Sequence, residues 1–179
     1  MKVLLLNGSP RQGNTRKALK IFRKGLHRMA GVEIDQVDAA DTEVSPCIAC
    51  EQCGSDSQCI FDDDTNEIIN SVVKADAVVF ATPVYWWGMT AQMKLIIDKF
   101  YSQSRKLHDL EKKVGVIVIG EAEQSDMQYE IIPKQFQCIC DYLGWDIVFS
   151  RTYTAAEPDD LEKDEAAMKE IEGLWTALE

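Results

Sequence analysis

Apolar and polar positions change period repeatedly along this chain. Lys2–Leu6 is an almost unbroken apolar run, which predicts a parallel strand buried on both faces. Asn7–Thr15 is rich in turn residues. From Thr15 to Met29, the apolar Leu19, Phe22, Leu26 and Met29 recur at spacings of three and four, the period of a helix with one buried face. Val32–Val37 alternates and reads as a second strand. Glu67–Val73 predicts a short helix and Ala77–Ala81 a third strand. Thr90–Tyr101 predicts a helix with Thr90 as its N-cap. Val114–Ile119 is the fourth strand. A helix containing or starting at Pro133 ends near Leu143, where Gly144 supplies its stop. Asp146–Phe149 opens the fifth strand. A last helix begins at Glu157-Pro158-Asp159-Asp160, with the stripe Ala167, Ile171, Leu174 and Leu178.

Five strands alternating with helices predict an α/β doubly wound fold around a five-stranded parallel sheet. In such a sheet, ligands bind beyond the carboxyl ends of the strands, where strand order reverses. The loops after strands one, three and four are therefore where chemistry is expected. One connection is unusual. Residues 38–65 run 28 positions with neither helical nor strand period, a length seen mainly in functional loops.

The 179 residues are expected to form one domain, 1–179, with a cysteine-containing insertion at about 41–63. A net charge of −11 argues against general nucleic-acid binding, which needs a basic footprint. The charge is unevenly placed. Residues 1–32 carry eight Lys or Arg and no acid, whereas residues 157–179 carry nine acids and two lysines. Both stretches read as solvated helix faces, except where a basic residue borders a loop able to receive phosphate. The first apolar run is too short for a signal peptide or a membrane span, so a cytoplasmic protein without membrane association is expected.

The loop Asn7-Gly8-Ser9-Pro10-Arg11-Gln12-Gly13-Asn14-Thr15 joins a buried strand to a helix. It lacks both the Gly-Lys-Ser/Thr ending of a Walker loop and the three-glycine dinucleotide spacing. Free backbone N–H groups and the positive end of the helix dipole make such a place an anion site. Ser9, Asn14 and Thr15 can add neutral donors there, and Arg11 charge. A capped helix after a tight turn would use similar residues. The loop Thr82-Pro83-Val84-Tyr85-Trp86-Trp87-Gly88-Met89 carries three consecutive aromatics, which cannot all point into one core. They can form an interface patch, or an apolar wall for a flat heteroaromatic ring, with the amides of residues 84–88 donating to it.

Leu4–Arg11 with Gly13-Asn14-Thr15, then Thr82–Gly88 with Lys94 and Asp98, resembles the NADPH-dependent FMN reductase and iron–sulfur flavoprotein family. The resemblance spans roughly residues 1–145 and fades in the acidic tail. It implies a flavodoxin-like fold with strand order 2-1-3-4-5. It implies that Ser9, Arg11, Gly13, Asn14 and Thr15 hold the FMN phosphate, and that Pro83, Val84, Tyr85, Trp86 and Gly88 line the isoalloxazine ring. The loop Gly120–Asp126 would close the other side. NADH or NADPH would be the electron donor. A quinone, a flavin, another small molecule or a protein would be the acceptor. A homodimer or homotetramer is expected from relatives.

Cys47, Cys50, Cys53 and Cys59 fall within thirteen residues. A cytosolic chain does not hold structural disulfides, so this cluster points to metal or redox work. Cysteines at every third residue suit a [4Fe–4S] cluster. Free thiols or a redox disulfide, and a four-thiolate zinc, are the alternatives. The spacing is similar to that of the iron–sulfur flavoproteins, which implies the cluster. Cys138 and Cys140 read as small buried hydrophobes. His27 and His108 read as surface residues. No general base is called for if a flavin does the chemistry.

Overall fold

The computed structural model describes all residues, 1–179. Five parallel strands form the sheet: β1 (Lys2–Asn7), β2 (Glu33–Asp38), β3 (Ala77–Pro83), β4 (Lys113–Gly120) and β5 (Asp146–Thr154), in the order β2-β1-β3-β4-β5. Seven helices connect them or follow them: α1 (Asn14–Leu26), α2 (Thr65–Lys74), α3 (Ala91–Asp98), α4 (Ser104–His108), α5 (Gln128–Leu143), α6 (Asp160–Lys163) and α7 (Glu165–Gly173). The doubly wound α/β expectation and its strand order hold.

Alternation along each strand divides the core in two. Leu4, Leu6, Val78 and Phe80 face α2, α3 and α5, packing with Ile69, Met93, Ile96, Ile132 and Phe136. Val3, Leu5, Val79 and Ile117 face the other way, toward Leu19 and Phe22 of α1 and Ile171 of α7. Both faces of β1, β3 and β4 are thus covered, which is why these strands read as continuous apolar runs. Edge strand β2 has no fully buried residue, and its Ile34 and Val37 are half-buried against the two core clusters.

Helix ends follow local chemistry. The Thr90 hydroxyl accepts from the Met93 amide at 3.2 Å, capping α3 as expected. Gly144 closes α5 in the left-handed region at φ 71°, and the Trp145 amide donates to Cys140 at 2.9 Å. Pro133 lies inside α5 rather than starting it. Two helices are shorter than their periodicity predicts. The third tightens into a 3-10 segment at Lys99–Gln103. The last is broken at Asp164, whose carboxylate leaves the helix to cap the next one, accepting from Ala167 at 2.9 Å. Its stripe Ala167, Ile171, Leu174 and Leu178 is buried all the same.

The opposite charges of the two ends pair with each other instead of facing solvent separately. Lys17 on α1 bonds Asp159 and Glu162, and Lys24 and Arg28 bond Glu172. A Cβ placed on Gly25 would stand 2.0 Å from the Glu172 carbonyl, so glycine there lets α1 and α7 approach. No helix is long and apolar enough to cross a membrane.

Candidate functional site

The first and second loops meet at the carboxyl edge of β1, β3 and β4. The Gly8 amide donates to Ala81 at 2.8 Å, the Thr90 hydroxyl donates to Gly8 at 2.7 Å, and the Val84 amide donates to Ile119 at 2.9 Å. Within the first loop, the Ser9 amide donates to Asn7 Oδ1 at 3.0 Å and the Arg11 amide to Ser9 Oγ at 3.2 Å. Asn7 in turn donates to Asp38 at 2.6 Å. These bonds lie within the loop or tie it to the sheet and α3, and none of them reaches the first amides of α1. No side chain caps α1, and its first turn holds no acid. The amides of Gly13, Asn14 and Thr15 donate to no acceptor in the chain. The Thr15 hydroxyl is likewise free, and a Cβ on Gly13 would meet nothing within 4 Å.

Electrostatics single out Arg11. Arg16 is held by Asp41 at 3.0 Å and Asp38 at 3.6 Å, and Lys17 by the tail, whereas Arg11 is exposed and in no ion pair. An unpaired guanidinium, three free amides and a free hydroxyl at a helix N-terminus fit a phosphate. Asn14 differs from its expected role. Its side chain donates to Glu157 at 3.0 Å and Ala155 at 3.4 Å and accepts from Leu161 at 3.4 Å, so it anchors the tail. Only its backbone N–H remains for an anion.

The second loop is a two-residue reverse turn. Tyr85 and Gly88 exchange amide bonds at 2.9 and 3.0 Å, with Trp86 and Trp87 at its tip at φ 49° and 58°. Left-handed backbone is uncommon for large side chains and is held here by the turn. It turns the indoles outward, Trp86 being 91% exposed. Of the amides of 84–88 expected to serve a ring, those of Val84, Tyr85 and Gly88 are bonded within the chain, and those of Trp86 and Trp87 are free. Gly88 has room for a Cβ, so the chain itself does not require glycine there. Gly120 is required by the chain: a Cβ would lie 2.9 Å from both Val84 and the Tyr129 hydroxyl. Pro83 ends β3, buried.

The third loop is fixed by residues that sequence reasoning missed. The hydroxyls of Tyr129 and Thr154 both donate to the Ala122 carbonyl, at 3.0 and 2.8 Å, and Ala155 donates to Gly120 at 2.8 Å. Gln128 beside it keeps a sealed amide nitrogen without a partner.

Cys47, Cys50, Cys53 and Cys59 border one cavity with Ile48, Ile60, Phe61, Lys99 and Tyr101. Ala49, Glu51, Gly54 and Ser55 take left-handed backbone, which wraps the segment around it. Its base is clamped. Asn66 bonds both the amide and the carbonyl of Cys59, at 2.8 and 2.9 Å. Asp63 accepts from Ser45 at 2.8 Å and Thr65 at 3.0 Å, and Asp64 from Glu43 at 2.7 Å. Partial burial raises the Asp63 carboxyl, but the Thr65 and Ser45 donors outweigh this and bring it down to about 2. The Arg105 amide donates to Ser55 at 3.2 Å, fixing the far side. All four cysteines are free, and no three His, Cys, Asp or Glu side chains are close enough to share one metal ion.

Outside these loops, Cys140 is buried, its thiol pushed up to about 12 by burial. Cys138 is exposed, against expectation, because it falls on the outer side of α5. His27 and His108 are exposed.

The fold and loops define a flavodoxin-like, FMN-dependent oxidoreductase. The chain belongs to the NADPH-dependent FMN reductase family, whose sequence model matches residues 1–135. It is 35% identical over 144 residues to an iron–sulfur flavoprotein of Methanosarcina thermophila, covering 80% of this chain and 73% of that one. It is 34% identical over 138 residues to an iron–sulfur flavoprotein of Methanocaldococcus jannaschii, covering 73% and 68%. Among solved structures, an FMN-dependent NADH-azoreductase from Bacillus anthracis in complex with FMN superposes with a TM-score of 0.71 at 16% identity, over 99% of both chains. An NAD(P)H:quinone oxidoreductase from Methanothermobacter marburgensis superposes with a TM-score of 0.72 at 18% identity, over 98% and 96%.

Proposed function

We propose that this protein takes electrons from NADH or NADPH through FMN and passes them to a quinone, a flavin or another small acceptor. The observation that carries the reading is the start of α1, a helix N-terminus with neither capping side chain nor acid, preceded two residues before its N-cap by an exposed, unpaired Arg11. The amides of Gly13, Asn14 and Thr15, the Thr15 hydroxyl and Arg11 would hold the phosphate. Ser9 shapes the loop from within. Pro83, Val84, Tyr85, Trp86, Gly88 and Gly120 would border the ring, with the free amides of Trp86 and Trp87 available to its polar edge. When bound, FMN supplies hydride acceptance and onward electron transfer. The exposed indoles of Trp86 and Trp87 would offer apolar surface beside the bound flavin. Residues 1–179 act as one domain with the segment 41–63 as an insertion, and the exposed aromatics suit assembly into a homodimer or homotetramer. Titrating the flavin-free chain with FMN tests the site: saturation at one FMN per chain supports it, and no uptake rejects it.

A second reading adds a [4Fe–4S] cluster on Cys47, Cys50, Cys53 and Cys59, making the protein an iron–sulfur flavoprotein that acts as an electron carrier with no nicotinamide substrate. The four cysteines bordering one cavity favour it. Expression under anaerobic, iron-replete conditions should give about four irons per chain. Cys50→Ser should remove the iron and leave the FMN. Full flavin with no iron rejects the cluster and leaves a flavin reductase with free thiols.

A further inference from the structure

Lys99 follows the end of α3 and is 2% exposed. Its ammonium lies 3.6 Å from Cys59 Sγ and 4.2 Å from the centroid of the Phe61 ring. It forms no ion pair. Asp98, which also borders the cysteine cavity, pairs with Lys94 instead. A buried ammonium without a carboxylate is costly, and contact with an aromatic face offsets only part of that cost. The rest of the cavity wall is Ile48, Ala49, Ile60, Phe61, Tyr101 and Ser102, with the exposed Glu51, which pairs with neither Lys99 nor any other cation. The chain therefore spends a buried positive charge at the one place where four thiolates would gather.

We propose that Lys99 is the counter-charge of the four-cysteine centre: its ammonium donates to the Cys59 sulfur and stabilises the more negative, reduced state of the centre. This rests on reading the loop as the ligand of a [4Fe–4S] cluster. With four thiolates, such a cluster carries a net charge of 2− when oxidised and 3− when reduced by one electron. A fixed positive charge held in a medium of low dielectric therefore favours the reduced form, and hydrogen bonds to ligand sulfur act in the same direction. One electron enters from reduced flavin, or in the experiment from dithionite through mediator dyes. No bond or proton is exchanged at Lys99, which makes it a positioning residue for charge.

The test compares the anaerobically prepared wild-type protein with Lys99→Met, which removes charge and donor, Lys99→Gln, which keeps a neutral donor, and Lys99→Arg, which keeps the charge. Iron, FMN and the cluster midpoint potential are measured for each. The Met and Gln variants should show at least a tenfold lower equilibrium constant for one-electron reduction, which is about 59 mV more negative. The Arg variant should stay nearer wild type. Loss of iron from Met and Gln but not from Arg, with FMN retained in all, also supports the role, placing it at assembly. Loss of iron from Arg as well makes Lys99 a packing element and overturns it. Iron in every variant with an unchanged potential overturns the role and leaves the cluster reading intact. An iron-free wild-type protein overturns both.

Discussion

The Thr90 hydroxyl donates to the Gly8 carbonyl at 2.7 Å while accepting from the Met93 amide at 3.2 Å, so one side chain caps α3 and ties the loop after β1 to the loop after β3. The fit is close: a Cβ on Gly8 would stand 2.9 Å from that oxygen and 3.0 Å from the Met93 Cβ. Thr90 thus connects the capping of one helix to the shape of the proposed phosphate loop. It also starts the helix whose other end leads to Lys99 and the cysteine cavity, about 12 Å of α-helix away.

Thr90→Val keeps the shape and removes both bonds. It should lower stability by about 1–3 kcal/mol, as expected for a lost cap and a carbonyl left short of a partner. Urea unfolding measures this. FMN affinity should fall in parallel, because the Gly8 carbonyl loses its tie to α3 and only its amide bond to Ala81 still holds the loop.

Arg11→Ala should weaken FMN binding by about 10- to 100-fold, since charge-assisted bonds contribute roughly 1.5–3 kcal/mol. Riboflavin, which lacks the phosphate, should bind both proteins equally. Asn14→Ala should act differently: its main effect should be on stability, with loosening of residues 155–161, because its side chain serves the tail. Flavin titration and hydrogen exchange separate the two outcomes.

Trp87→Gly should stabilise the flavin-free protein by about 1 kcal/mol, because it relieves a left-handed backbone that only glycine takes without cost. Thermal unfolding checks the sign.

The Asp63 carboxyl is brought down to about 2, below its ordinary value of 3.8. A carboxylate depressed on folding adds stability that is fully present above the ordinary value and is lost as pH falls through the folded one. The clamp on the cysteine segment should therefore hold at pH 5 and weaken between about 4 and 2. Proteolysis by an acid-active protease should begin to cut residues 45–63 in that window. Asp63→Asn should expose the same residues at pH 5.

The sheet was legible because burial on both faces writes β1 and β3 as apolar runs, and because Thr90 and Gly144 carry their own helix-end signals. The candidate site stood out where a loop carries turn residues, as at Gly8–Thr15, where aromatics crowd one loop, as at Tyr85–Trp87, and where cysteines cluster. Three kinds of detail were hidden. Asn14 could not be read as a tail anchor, since its partners lie more than 140 positions away. The left-handed Trp86-Trp87 tip breaks the local rule that glycine or asparagine fills such places, so no residue preference marked it. Lys99 lies three residues after Ile96, just past the end of α3, and nothing in its local sequence marks it as the cation buried against Cys59.

FMN held at the first two loops is proposed to receive electrons from a reduced nicotinamide. Anaerobic mixing of the FMN-loaded protein with NADPH and, separately, with NADH, following the flavin absorbance, tests this directly. Bleaching of one flavin per chain within seconds by at least one of them is the predicted result. A flavin that stays oxidised with both, yet is reduced by ferredoxin, would contradict the nicotinamide-dependent activity and leave the electron carrier in its place.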